Sequence, residues 1–415
     1  MGIGKHILTA LLAATVPLIG SARADWPGWR GPNRDGRATE ARPRTLRAEA
    51  EPLWKLAIGR GYSGPVVAGN TLVYVDEQQG SETAHALDRI TGRELWKTSY
   101  AKAWSDEFEP GPRCTPLLDG DRTYVQSALG VIACLSTADG QKLWSMDFKD
   151  LGMTWVTERH SNVGAAVRRG HTGSPVIDGD RLFLQTSALA GKSIIAVDKR
   201  TGKTLWQALD DHTAYSSPVI TTLANRRQFV TATCEGLVGL DVTSGAELWR
   251  TRFQTGANRN VLTPVIVGDD VLFASHTTGL RCQRITSGEK IQTSTERWLN
   301  RQLRINMPTP VAVGRQLYGV GPSRDFVCVD LEDGLPRWTE RGFGEVASVI
   351  TDGEGLLVQL DSGELRLLAV NHVRYEELGR FQACGKTYSH PALQNGVLYT
   401  RDPQSLTAWP LTAKP

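Results

Sequence analysis

The chain has 415 residues, 47 basic against 44 acidic side chains for a formal charge of +3, and 40% hydrophobic residues. A balance so close to neutral excludes a nucleic-acid partner held by bulk charge and gives no reason to expect a charged membrane surface. Forty-two glycines and twelve tryptophans predict many tight turns around a sizeable core.

In chain order, Lys5 and His6 precede an apolar run from Ile7 to Ile19, broken by Pro17 and followed by Ala22-Arg23-Ala24, a small-x-small cleavage pattern. A membrane span needs about 20 apolar residues. Residues 1–24 are therefore expected to be a signal peptide, cleaved ahead of Asp25, giving a periplasmic or secreted protein without membrane insertion. No lipobox cysteine follows the cleavage site. The Trp- and Gly-rich DWPGWRGPNRDG (25–36) opens a segment, 25–51, expected to strap against the body with Trp26 and Trp29 buried.

An eleven-residue unit then recurs: ALDRITGRELW (86–96), CLSTADGQKLW (134–144), AVDKRTGKTLW (196–206), GLDVTSGAELW (239–249), CQRITSGEKIQ (282–292) and CVDLEDGLPRW (328–338). Its glycines, Gly92, Gly140, Gly202, Gly245, Gly288 and Gly334, sit where a hairpin turn needs positive φ. Asp at the third position can accept hydrogen bonds from the turn amides. The closing tryptophans, Trp96, Trp144, Trp206, Trp249 and Trp338, with Trp54 upstream, need a surface to bury against. They read as docking plugs between neighbouring units, with the small first residue leaving room for an incoming indole. Cys134, Cys282 and Cys328 occupy that small position and stand in for Ala. The six cysteines are scattered, with no CxxC, so buried thiols are expected.

Before each unit a proline opens a short apolar strand, a turn reverses it, and a second strand follows. These prolines, at 65, 116, 175, 218, 264 and 310, are 43 to 59 residues apart, the period of a propeller blade. Two further blades are degenerate, one opening at 346–353 and one at 389–400. The last lacks its outer strand, which PLWKLAI (52–58) can supply. The prediction is an all-β, eight-bladed propeller of four-stranded antiparallel blades over 52–415, its ring closed by strand 52–58.

The phrase A-x-D-x-x-x-G-x-x-x-W, with its S/T-P-V strands, resembles the tryptophan-docking motif of the pyrroloquinoline-quinone (PQQ) repeat family, over nearly all of the chain after the signal peptide. DWPGWRGPNRDG, GYSGPVVAG and AYSSPVI resemble exported bacterial PQQ-like repeat proteins of the BamB-like kind. The resemblance implies two functions: a non-enzymatic scaffold in cell-envelope protein assembly, or a quinoprotein oxidoreductase acting on an alcohol or sugar, with PQQ and calcium in the central funnel. The Cys-Cys pair usual in the quinoprotein enzymes is absent here, as is a cytochrome CxxCH.

Function on a propeller collects on loops joining one blade to the next. Tyr62, Arg113, His171, Tyr215, Asn306 and Tyr388 stand two to four positions before the inner-strand prolines, and Trp155, Glu158, Arg259, Asn260 and His390 join them on the same connections. Such a ring of aromatic and cationic groups suits a small anionic or polyhydroxylated ligand, or an envelope protein. Phosphate-loop, GxSxG and HExxH signatures are absent. The leading expectation is a monomeric binding or scaffold module with no assured cofactor, and the alternative is the quinoprotein-type dehydrogenase.

Overall fold

Most repeats fold as hairpins in series, because a glycine turn follows the first and the third strand; the exceptions are Ala224-Asn225, between Val219–Leu223 and Arg226–Thr233, and the glycine-free stretch 370–376. The computed structural model describes residues 25–41, 43–46, 50–106, 110–153, 169–288 and 291–411. The expected signal peptide lies outside them, as do Trp155 and Glu158. Among the described residues thirty-two strands pair into eight antiparallel sheets of four. Blades 1 to 8 span 66–102, 117–147, 176–208, 219–252, 265–300, 311–341, 347–382 and 392–410. Blade 8 takes its outer strand from Trp54–Ala57, which pairs with Ser405–Pro410 and sets Trp54 opposite Ala408. The inner strand of blade 1 touches those of blades 2 and 8, so the ring closes as the sequence predicts. The core lies in the seams: Phe183 and Trp206 of blade 3 pack with Phe229, Val238 and Leu240 of blade 4.

The repeated turn works as its residues suggest. Asp88 Oδ1 accepts from the Ile90 and Thr91 amides and the Thr91 hydroxyl, and Asp198 and Asp241 do the same in their turns. Trp54, Trp96, Trp144 and Trp206 each lie over the repeat glycine of the following blade and donate Nε1–H to a carbonyl of that turn, at 3.0, 2.8, 3.1 and 3.1 Å. Trp338 reaches the Asn371 carbonyl of blade 7 in the same way.

Three details of the docking scheme differ from the sequence reading. The small first residue does not receive a neighbour's indole; it pairs across the hairpin with the tryptophan of its own unit, as Ala86 with Trp96 and Cys134 with Trp144. A β-bulge immediately after it re-aims the outer strand and turns the indole outward. Second, Trp249 does not lie over Gly288 of blade 5. It is 1% exposed and donates to Gln228 Oε1 of its own blade at 2.5 Å. Third, Gly288 receives no indole. The hairpin of blade 5 is longer, so Cys282 pairs with Trp298, and Trp298 docks on Gly334 and donates to the Leu331 carbonyl. With Gly288 displaced, Gln292 fills the seam of blades 4 and 5: its backbone N–H donates to Leu248 O, its Nε2 to Leu223 O, and its Oε1 accepts from Gln228 Nε2.

The N-terminal segment lies inside the ring. Asp25 accepts from the Gly69 amide and Gln394 Nε2, joining blades 1 and 8. Trp26 forms a bridge with Val67, and Pro27 O accepts from Leu118 N–H of blade 2. At the far end of the inner strands, Arg34 donates to the Ser174 and Pro175 carbonyls of blade 3, and Arg30 to those of Thr309 and Pro310 of blade 6. The chain then returns along blade 7, where Thr351 N–H donates to Gly36 O and Ala38 N–H to Thr351 O, and reaches blade 8, where Glu40 accepts from Gly396 N–H. Residues 25–40 thus form a hairpin-like plug along the channel axis. Trp26 is 2% exposed, whereas Trp29 is only half-buried. Beyond the plug, Leu46 packs on Gly379, which holds the place of the tryptophan that blade 7 lacks.

Candidate functional site

Strands of a blade alternate in direction, so every link from an outer strand to the next inner strand emerges on one face, together with the turns between second and third strands. The described site residues all sit on links of this funnel face, in two groups and a buried remainder.

Over blades 8, 1 and 2, the rings of Tyr62 and Tyr388 are 5.7 Å apart. The Arg113 guanidinium lies 4.6 Å from the Tyr62 centroid, and Lys386 Nζ lies 5.7 Å from that of Tyr388. Asp106 holds Arg113 by an ion pair of 3.0 Å, both side chains being largely buried, and also accepts from Trp104 Nε1. Beneath them lies Glu82, which the sequence reading missed. Burial pushes its carboxyl up to about 7, although the Tyr100 hydroxyl donates to it at 2.9 Å and the Ala128 amide at 3.3 Å. Its signal in the sequence is an acidic residue inside the otherwise buried strand Ser81–Asp88.

Over blades 3 to 6, Arg259 Nη2 donates to Asn306 Oδ1 at 2.6 Å, and Tyr215 N–H donates to the Asn260 carbonyl beside it. His276, on the turn between the second and third strands of blade 5, packs against Gly256 of the same cluster.

The other chosen residues go into the walls. Asn260 is fully buried, and its Nδ2 fastens the loop to Thr233 O at 2.7 Å. His171 is buried 3.0 Å from Met153 Sδ and edge-on to Phe148, and burial lowers its pKa to about 4. His390 is sealed under the plug, stacked on Trp26 and edge-on to Trp29, with its pKa lowered to about 3 by burial and by Arg30. The sequence reading also passed over the role of the Ser or Thr before five of the inner-strand prolines, at 116, 175, 218, 264 and 310. These hydroxyls link neighbours around the channel: Ser174 accepts from Thr115 N–H, Ser217 from Ser174 N–H, and Thr309 from Thr263 N–H.

A quinone tricarboxylate with calcium would need guanidinium donors and oxygen ligands converging on one point. Among the described residues no three His, Cys, Asp or Glu side chains converge. Arg30 and Arg34 are committed to backbone carbonyls, and Arg113 to Asp106. The described residues therefore do not fit that pair of groups. No helix among them is long and apolar enough to cross a membrane.

A family model described as outer membrane protein assembly factor BamB matches residues 44–167 and 101–340. No curated protein matches the sequence. Among solved structures, BamB from Moraxella catarrhalis superposes with a TM-score of 0.58 at 15% identity, covering 87% of this chain and 98% of that one. The quinohemoprotein alcohol dehydrogenase ADHIIG from Pseudomonas putida HK5 gives 0.61 at 12% identity, covering 94% and 81%. The computationally designed Ika8 protein gives 0.56 at 9%, covering 89% and 99%. At such identities these three likenesses speak for the fold alone.

Proposed function

From the premise that the chain belongs to the PQQ-like β-propeller family described as outer membrane protein assembly factor BamB, we propose that it is an exported binding module of cell-envelope protein assembly, receiving a protein partner on its funnel face. The observation that carries this reading is the plug. Residues 25–40 occupy the channel axis, which directs binding outward to the loops, where Tyr62, Tyr388 and Lys386 are at least partly exposed. Tyrosine is a side chain that anchors protein interfaces, because it buries a large area with little loss of rotamer freedom. Arg113, held under Tyr62 by its ion pair with Asp106, stiffens this tyrosine platform.

The test replaces Tyr62 and Tyr388 together by Ala in the source organism and measures assembled outer-membrane β-barrel proteins at an unchanged level of the variant. A fall comparable with that of the deletion strain supports the reading, and wild-type amounts sink it. A parallel titration of the mature protein with PQQ and calcium, read by absorbance and thermal shift, separates the quinoprotein alternative. Saturable, calcium-dependent stabilisation would replace the scaffold reading with that one.

A further inference from the structure

The seam where the two ends of the ring meet carries a histidine between two carboxylates. His85, in the third strand of blade 1, is 4% exposed. Its Nε2 lies 3.0 Å from Asp76 Oδ1 and its Nδ1 2.8 Å from Glu94 Oε2. A neutral imidazole has one N–H and one lone pair, so it donates to one carboxylate and turns a lone pair on the other. Two carboxylate contacts therefore call for an imidazolium, which donates from both nitrogens. Burial acts to lower the pKa of His85, but Asp76 first and Glu94 after it outweigh burial and hold it above the ordinary histidine value. Burial likewise acts to raise the Asp76 carboxyl, and the hydrogen bonds from His85, Gln78 and Gly59 outweigh it, so Asp76 is ionised. The Tyr74 ring is stacked on the imidazole with centroids 4.7 Å apart and offers its face to that cation.

Asp76 carries these contacts on to the strand that closes the ring. It is fully buried, and its Oδ2 accepts from Gly59 N–H at 2.7 Å and from Gln78 Nε2 at 2.9 Å. Gly59 stands just beyond the closing strand Trp54–Ala57, and its carbonyl accepts from Arg401 Nη2 of blade 8 at 3.2 Å. Tyr74 packs in the same seam as Leu56, Ile58 and Tyr399. The remaining charges around His85 are cationic. Lys97 stands opposite it in the sheet register and is exposed, the closing strand brings the exposed Lys55, and Arg401 is spent on the carbonyls of Gly59, Ser63 and Val75. Loss of the His85 proton would set a lone pair against one carboxylate and take from buried Asp76 the positive charge that offsets its burial.

We propose that His85 is a pH-sensitive clasp on the ring: as an imidazolium between Asp76 and Glu94 it steadies the carboxylate that holds Gly59, and on losing its proton it lets the closing strand loosen. The folded pKa is the raised one. The stabilisation is therefore whole below the unfolded value of about 6.5 and fades as pH rises through the folded value. The buried His171 and His390 titrate below 6.5 and leave this window clear.

The experiment compares the mature full chain with His85→Gln, which can donate a hydrogen bond but cannot carry the charge. Hydrogen exchange of the segment 52–60 is read by mass spectrometry between about pH 6 and 9, as the ratio of protection in the two proteins, which cancels the intrinsic pH dependence of exchange. Protection about tenfold greater in the wild type is expected at the acid end, falling towards equality as the imidazole loses its proton, since hydrogen bonds to charged groups contribute on that scale. The strand Thr204–Ala208 of blade 3 serves as the control and should give the same ratio at every pH. Histidine-selective isotope-labelled NMR should find both ring nitrogens of His85 protonated near neutrality, with a midpoint above about 6.5. Should His85→Gln fold poorly, Glu94→Gln, at an exposed position, is expected to lower the His85 midpoint and to flatten the trend in protection. A protection ratio independent of pH, or an imidazole that titrates at or below the ordinary value, overturns the clasp.

Discussion

Gly140→Ala isolates the docking of one blade on the next. Gly140 has φ +73°, and an added Cβ would lie 2.6 Å from Trp96 Cε3 and 2.7 Å from Thr98 Oγ1. A left-handed backbone costs an L-residue roughly 1–2 kcal/mol, while stiffening the unfolded chain returns about 0.4–1 kcal/mol. Forcing a methyl into a packed seam adds typically 1–3 kcal/mol, for a net loss of about 2–4 kcal/mol. Gly120 of the same blade is the matched control: its φ is +59° and nothing lies within 4 Å of the added Cβ. Gly120→Ala carries the backbone terms alone, about 1 kcal/mol. Equilibrium urea unfolding of the two variants gives the difference directly. Adding Trp96→Ala to Gly140→Ala should recover part of the loss, because the obstructing ring is gone. Equal destabilisation by the two alanines, or strict additivity of the double variant, would refute indole docking as the source of the glycine requirement.

Two further outcomes follow from the same geometry. Trp298→Ala should destabilise by roughly 3 kcal/mol through the opened seam between blades 5 and 6, and it should raise hydrogen exchange in the Asp330–Gly334 turn, whereas Trp249→Ala should leave that turn unchanged. For His171 burial lowers the folded pKa to about 4, below the ordinary histidine value of about 6.5. The unfolded chain therefore takes up its proton first, and stability is lost as pH falls from 6.5 towards 4, by roughly 3 kcal/mol in all. His390 acts in the same direction. Urea midpoints of the wild type and His171→Gln between pH 4 and 7 test this, and the variant should show a shallower loss. Parallel profiles would remove His171 from the account.

The repeat was legible in the sequence because each of its parts is local. Gly92 sets the turn, Asp88 satisfies its amides, and Ala86 faces Trp96 across one hairpin, all within eleven residues. Counting such units was enough for eight blades, and the unpaired strand at 52–58 was enough to close the ring. The exceptions came where one hairpin is longer: nothing local to CQRITSGEKIQ reveals that Cys282 pairs with Trp298, or that Trp249 turns to Gln228 once Gly288 has moved away. The funnel residues were legible as loop positions but not in their directions, so Tyr62 and Tyr388 came together while His171, Asn260 and His390 went into the walls.

The amino-acid sequence by itself determined the blade, its number and its closure, since hairpin turns and strand alternation are written by neighbours along the chain. Tertiary structure alone decided what fills the axis and which loop residues meet. Arg30 meets the Pro310 carbonyl 280 residues away, and Arg259 meets Asn306 across a blade, because the circular assembly turns inner-strand ends and loops distant in sequence into a common wall. A buried guanidinium settles wherever that wall offers carbonyls.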